Sequence, residues 1–162
     1  MTVRALVLAV LLVAGPASAA PGLTDPQVRG FVERQSRAWN AGDLAAYFAT
    51  FTPDARFTDQ ALSNENKVVP YGSSSLAQAR AQTRKVLAKS KVRETSTVSA
   101  VAIAPGGRTA RVTAGTVSQI TSPGAVRRVC ALRVQSLALT PAGLRSTGQT
   151  DTIVRCRAAP IG

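Results

Sequence analysis

The chain has 162 residues, with 20 Lys and Arg against 8 Asp and Glu, two cysteines and no histidine. The lack of histidine argues against the common zinc sites and imidazole-activated nucleophiles, and we expect no metal and no cofactor. The net charge of +12 favours anionic neighbours, whereas four Phe, two Tyr and one Trp are too few for a base-stacking platform, so no nucleic-acid partner is expected.

Residues 1–19 have the features of a secretory signal peptide. A basic start at Arg4 precedes a short apolar run, and an Ala-Ser-Ala sequence matches the small-residue cleavage signature. We expect cleavage between Ala19 and Ala20. The run is too short for a permanent anchor, although an N-terminal core helix is the alternative. Residues 20–162 are then predicted to form a single secreted or periplasmic domain with no membrane span.

Two helices are predicted before the first strand. The first begins with Asp25 as its N-cap, followed by a proline. Its apolar residues recur at helical spacing and form one buried stripe: Val28, Phe31, Val32 and Trp39. Gln35 interrupts this stripe, and a polar amide there must find a partner or face a cavity. Gly42 ends the helix, and Asp43 caps a short second helix over residues 44–49.

A strand, a loop and a third helix are predicted next. The strand covers residues 55–62, and its two-residue period places Phe57 and Asp59 on one face. Residues 63–75 are polar and rich in turn formers, which predicts a loop that rims a pocket. The third helix covers residues 75–90. Its inner side is predicted to carry the apolar residues Leu76, Ala79, Val86 and Leu87.

The second half of the chain predicts a four-stranded antiparallel meander. Turn sequences begin at residues 104, 122 and 140, and the segments between them are rich in Val, Thr, Ile and Ala. A last hairpin centred on Gly143 places Cys130 opposite Cys156. A disulfide is the default for two cysteines in an exported protein, and this register brings them close enough to form one.

One motif resembles a known superfamily. NAGDL, then Phe51, then DARFTD, over residues 40–59, is similar to the nuclear transport factor 2-like superfamily, which includes ketosteroid isomerase and the SnoaL-like polyketide cyclases. The resemblance implies an α+β, cone-shaped roll, in which three N-terminal helices pack on a curved, mostly antiparallel sheet around an apolar pocket. It also implies a homodimer.

The resemblance assigns a role to Asp59. In the isomerase the last residue of this motif is the catalytic aspartate, which moves a proton beside a carbonyl. The two oxyanion donors of the isomerase, a tyrosine and a protonated aspartate, correspond here to Gln35 and Gln135. The alternative for Asp59 is a strand-end aspartate bonded to nearby backbone N–H groups or to Arg56.

Six residues are therefore candidates for ligand binding: Gln35, Trp39, Tyr47, Phe57, Asp59 and Gln135. The aromatic members are also compatible with an ordinary core. The absence of P-loop, HExxH, GxSxG and CxxC patterns leaves nucleotide hydrolysis, zinc proteolysis, serine hydrolysis and thioredoxin-like redox chemistry without support.

Three functions fit these observations. The first is an exported domain that binds a small apolar or amphipathic ligand without turnover. The second is an isomerase- or cyclase-like enzyme with Asp59 as the general base, and the third is an envelope interaction module. A basic cluster also suggests contact with an anionic envelope surface, although a solvated face is the simpler interpretation. Its members are Arg80, Arg84, Lys85, Lys89, Lys91 and Arg93.

Overall fold

The computed structural model describes residues 22–156, whose strands form one curved, six-stranded sheet covered by helices. The elements follow in the order α1 (Asp25–Asn40), α2 (Leu44–Ala49), β1 (Phe51–Leu62), β2 (Val68–Ser75), α3 (Leu76–Leu87), β3 (Lys91–Ile103), β4 (Thr109–Ser122), β5 (Ala125–Thr140) and β6 (Gly143–Val154). The strand order is β2-β1-β6-β5-β4-β3, and only β1 and β6 pair in parallel. The predicted α+β class is confirmed. The predicted signal peptide and its cleavage point lie outside the described residues.

The helix starts follow local capping rules, with one correction. Thr24, not Asp25, is the N-cap of α1, and it forms a capping box with Gln27. Asp25 lies in the first turn, where it accepts a hydrogen bond from Arg29 at 2.6 Å. The cap of α2 is Asp43, as predicted, and it accepts from the backbone N–H of Ala46 at 2.9 Å.

The prediction of a loop over residues 63–75 is wrong for most of that segment. Val68–Ser75 forms β2, which pairs antiparallel with β1 at the edge of the sheet. Its composition resembles a loop because an edge strand faces water, and Pro70 is tolerated there since only one side needs backbone donors. Pairing with β1, which is a tertiary contact, decides the conformation.

The meander and the disulfide are both confirmed, but the register differs by two residues. Cys130 pairs with Val154 rather than Cys156, and a bulge follows Ser136. A shift of two residues preserves the face of a strand, so Cys156 still reaches Cys130. Their Cα atoms are 5.2 Å apart, and the sulfurs are bonded.

Two clusters of buried side chains hold the helices on the sheet. The α1 core lies under the N-terminal half of α1 and consists of Leu23, Val28, Phe31, Val32, Ala110, Val112 and Leu137. The aromatic cluster lies around α2 and consists of Tyr47, Phe48, Phe51, Ala55 and Phe57. Within residues 22–156, no helix has both the length and the hydropathy needed to cross a bilayer.

Candidate functional site

A half-open cavity of about 320 Å³ lies between α3 and the inner face of the sheet, next to the aromatic cluster. Its walls include rings from the first half of the chain (Trp39, Tyr47, Phe48 and Phe57), and its rim is formed largely by α3. No residue of α3 is buried, and Val86 is 49% exposed. Leu76 and Ala79 pack against the aromatic cluster, whereas Val86 borders the cavity and stays half-exposed on the predicted inner side.

Asp59 lies on the cavity wall, on the same face as Phe57. Within residues 22–156 its carboxylate forms no ion pair or side-chain hydrogen bond, so the bond to Arg56 that would make it structural is not formed. Gly72 lies opposite on β2, where an added Cβ would come 3.3 Å from Oδ2 of Asp59. Glycine at this position leaves room for the carboxylate.

Burial and a neighbouring charge both act on Asp59. Burial raises the pKa of its carboxyl, and the carboxylate of Asp151 raises that pKa further. The two residues are partners in the parallel ladder between β1 and β6, and both line the cavity. The ionised form of Asp59 is therefore less favourable here than in water.

The floor of the cavity carries a largely buried ionic triad of Arg133, Glu94 and Asp151. Nη1 and Nη2 of Arg133 donate to the two oxygens of Glu94 at 2.6 and 3.2 Å. Nε and Nη2 donate to the two oxygens of Asp151 at 2.8 and 3.1 Å. One guanidinium thus binds two carboxylates bidentately, and the triad carries a net charge of −1 when all three groups are ionised.

Surrounding groups hold the triad in place. Ser118 donates to Glu94 at 3.1 Å, and Gln149 donates to Asp151 at 2.9 Å. Asn40, the first residue of the NAGDL motif, exchanges two hydrogen bonds with the backbone of Glu94, at 2.7 and 2.8 Å. The end of α1 therefore fixes the strand that presents Glu94. Burial would lower the pKa of Arg133, but the two carboxylates outweigh this and raise it well above its usual value.

Sequence reasoning missed the triad as a candidate site. Its members come from three strands and lie 18 and 39 residues apart in the chain. One signal was present: the two-residue period that turns Gln135 inward also turns Arg133 inward, and a buried arginine requires an acidic partner.

Gln35 and Gln135 are brought together, but away from the cavity. Both are buried, and Nε2 of Gln135 donates to Oε1 of Gln35 at 3.1 Å. Gln35 also donates to Thr50 at 2.7 Å. The pair borders a void of about 10 Å³ behind Trp39 and Tyr47, which holds one water molecule at most. Their predicted contact with a ligand stays a prediction, and the observed contact is with each other.

The remaining predicted ligand residues, Trp39, Tyr47 and Phe57, all line the cavity. The rings of Trp39 and Tyr47 are 5.0 Å apart, and burial raises the pKa of Tyr47 to about 12. The indole Nε1 of Trp39 is buried and has no hydrogen-bond partner among the described residues. The cavity thus combines aromatic walls with a free carboxylate on Asp59.

The basic cluster lies outside this cavity. Its members from Arg84 to Arg93 are exposed, and Arg80 is half-buried with its guanidinium 5.5 Å from the centre of the Phe48 ring. The positive charge is therefore on the outer surface, whereas the cavity is lined by carboxylates.

Comparison with known proteins identifies solved structures that share this architecture. No family model and no curated protein matches the sequence. Among solved structures, a ketosteroid isomerase-like protein from Erwinia carotovora atroseptica SCRI1043 superposes with a TM-score of 0.61 at 14% identity, over 80% of this chain and 95% of that one. The chain has the nuclear transport factor 2-like fold.

Two further solved structures have a similar fold. ActVI-ORFA from Streptomyces coelicolor has a TM-score of 0.57 at 20% identity, over 78% of this chain and 93% of its own. An NTF-2 like protein of unknown function from Shewanella oneidensis MR-1 has a TM-score of 0.56 at 13% identity, over 77% and 95%. At these identities the similarity establishes the nuclear transport factor 2-like fold, while function depends on the site.

Proposed function

We propose that this chain is an exported domain that binds a small apolar or amphipathic molecule in the cavity without turning it over. The observation that carries the proposal is the cavity of about 320 Å³, with aromatic walls and the unpartnered carboxylate of Asp59. Concave, mostly apolar sites with a few oriented polar groups are the usual form of small-molecule sites.

The polar groups support binding rather than isomerase chemistry. An enolate needs strong donors aimed at its oxygen, and losing one such donor costs about 10²–10³ in rate. Gln35 and Gln135, at the positions of the isomerase donors, bond to each other instead. The strongest donor on the cavity floor, Arg133, is occupied by two carboxylates.

A substitution that fills the cavity tests the proposal. Ala79 lines the cavity on α3, and Ala81 is exposed on the same helix. We expect Ala79→Phe to weaken binding of the neutral fluorescent probe N-phenyl-1-naphthylamine about ten-fold, because the new ring occupies the site. Ala81→Phe makes the same substitution outside the cavity and should leave binding unchanged.

Intrinsic fluorescence provides a second readout. Trp39 is the only tryptophan of the chain and lies on the cavity wall, so its emission should change as the probe binds. Equal binding of the probe by Ala79→Phe and Ala81→Phe, or a Trp39 emission that does not change at saturation, would contradict binding in this cavity.

A second candidate is an enzyme that uses Asp59 as a general base. The raised pKa of Asp59 and its free oxygens favour this role, because a base works best when its pKa approaches the working pH. If so, Asp59→Asn should abolish turnover of a β,γ-unsaturated ketone while the fold is kept and the Tm does not fall. Absence of turnover by the wild-type protein over a panel of enones and polyketide-like substrates would count against it.

Export and assembly remain part of the proposal. The leader over residues 1–19 and the bond between Cys130 and Cys156 support export to an oxidising compartment. We place the contact with a second copy or an envelope partner on the outer face of the sheet, where Leu132 is 50% exposed. Native mass spectrometry of the secreted protein would report the cleavage point, the disulfide and the oligomeric state together.

A further inference from the structure

We infer that the cavity selects cationic amphiphiles: molecules with an ammonium group and a short apolar tail. The inference rests on the proposed function and adds the charge of the ligand. Its basis is the set of ionisable side chains that line the cavity, which are three carboxylates, Asp59, Glu94 and Asp151, and the guanidinium of Arg133.

These charges do not cancel. Arg133 is fully committed to Glu94 and Asp151, which leaves the triad with one excess negative charge. Asp59 adds a second excess negative charge, with no cation of its own among residues 22–156. Since charges interact strongly in a partly buried site, the cavity attracts a cation and repels an anion.

The position of Asp59 makes it the contact for the ammonium group. It is the one carboxylate of the three with free oxygens, and Gly72 opposite it leaves the oxygens accessible. Burial and Asp151 raise the pKa of Asp59, so a bound cation would relieve an unfavourable charge.

The aromatic walls suit the same ligand. Trp39 and Tyr47 line the cavity, and a cation over the face of such a ring is stabilised by the electrons of the ring. The apolar side of α3, with Val86 and Leu87, offers a surface for the tail.

The charge of the whole protein makes this preference easy to distinguish from non-specific binding. The chain carries a net charge of +12, and its basic cluster, apart from the half-buried Arg80, is exposed. Non-specific association with this surface would favour anionic amphiphiles. A preference for cations therefore cannot come from the surface.

Isothermal titration calorimetry with three probes of equal tail length tests the inference: octyltrimethylammonium and octanoate below their micelle concentrations, and 1-octanol below its solubility limit. On the wild-type protein we expect the ammonium to bind about ten-fold more tightly than the alcohol, and octanoate to bind least. This comparison needs no variant, so it stands even if a variant fails to fold.

Two variants with the same change of charge then locate the contact. Asp59→Asn should weaken binding of the ammonium about ten-fold and leave binding of 1-octanol within about two-fold. Asp54→Asn is the matched control, because Asp54 lies on the same strand but is exposed and outside the cavity. It should change neither affinity.

The outcomes separate the two proposals. Equal affinities for the ammonium and the alcohol, or tighter binding of octanoate, would overturn the cation preference and leave the binding function standing. Binding of none of the three probes would overturn the binding function itself. An equal effect of Asp54→Asn and Asp59→Asn would place the cation on the surface and overturn the inference.

Discussion

The two ends of the sheet are filled differently. Under the N-terminal half of α1 the inner face is covered by the apolar α1 core, in which Val28 and Leu137 are almost completely buried. Under α3 the same face carries Arg133, Glu94, Asp151 and a cavity of about 320 Å³. One sheet therefore has a filled end and a hollow end.

The two ends contribute differently: the filled end stabilises the fold, and the hollow end forms the candidate site. Burying apolar side chains stabilises the filled end, at about 25 cal/mol per Å² removed from water. The hollow end gives up packing and buries charges, which at best compensate their own desolvation. Sites that cost stability in this way are typical of functional regions.

The largest expected effect comes from breaking the triad. Arg133→Met leaves two carboxylates buried without a cation, and we expect a loss of about 3–5 kcal/mol in the free energy of unfolding, measured by urea denaturation. Replacing Glu94 and Asp151 by leucine in the same variant should restore much of this loss. A cost below about 1 kcal/mol for Arg133→Met would mean that both carboxylates reach water.

The next largest effect belongs to the filled end. Leu137→Ala removes a side chain that is 1% exposed, and we expect a loss of about 3–4 kcal/mol in the same measurement. Affinity for an apolar probe in the cavity should not change, since Leu137 lies outside it. A parallel loss of affinity would show that the two ends are coupled.

The disulfide should contribute slightly less. Replacing Cys130 and Cys156 by serine removes a bond that spans 26 residues, which corresponds to about 3 kcal/mol in the chain-entropy model. The bond joins β5 to the end of β6 beside the hollow end, so amide exchange should increase there first. Reduction of the wild-type protein should reproduce the change in Tm, and a variant with unchanged Tm would contradict this.

The smallest effect has the opposite sign. The pKa of Asp59 is raised by burial and by Asp151, so its carboxylate destabilises the folded protein increasingly as the pH rises from the ordinary aspartate pKa through the raised one. Asp59→Asn should therefore stabilise the protein at neutral pH, by at most about 1 kcal/mol since the group is only partly buried and borders a half-open cavity. The gain should disappear in acid, below the ordinary aspartate pKa.

Thermal melts across this pH range check the sign. Asp54→Asn provides the control, because Asp54 is exposed and its carboxylate keeps its hydration, so its replacement should bring no gain at neutral pH. A destabilised Asp59→Asn variant at neutral pH would show that Asp59 has a stabilising partner.

Much of the fold was predictable because its signals are local. Asp43 caps α2 by bonding a backbone N–H three residues away, and the evenly spaced turns define the meander. The inward direction of Asp59 follows from the period of a strand. The same rules could not identify β2, because an edge strand and a loop share their composition.

The sequence by itself thus determined the α+β class, the nuclear transport factor 2-like fold, the disulfide and the face on which Asp59 lies. Only the tertiary structure decided that Gln35 bonds to Gln135, 100 residues away, and that Arg133 binds two carboxylates from other strands. The physical reason is that periodicity determines the face of a side chain, whereas register and sheet curvature determine its partner.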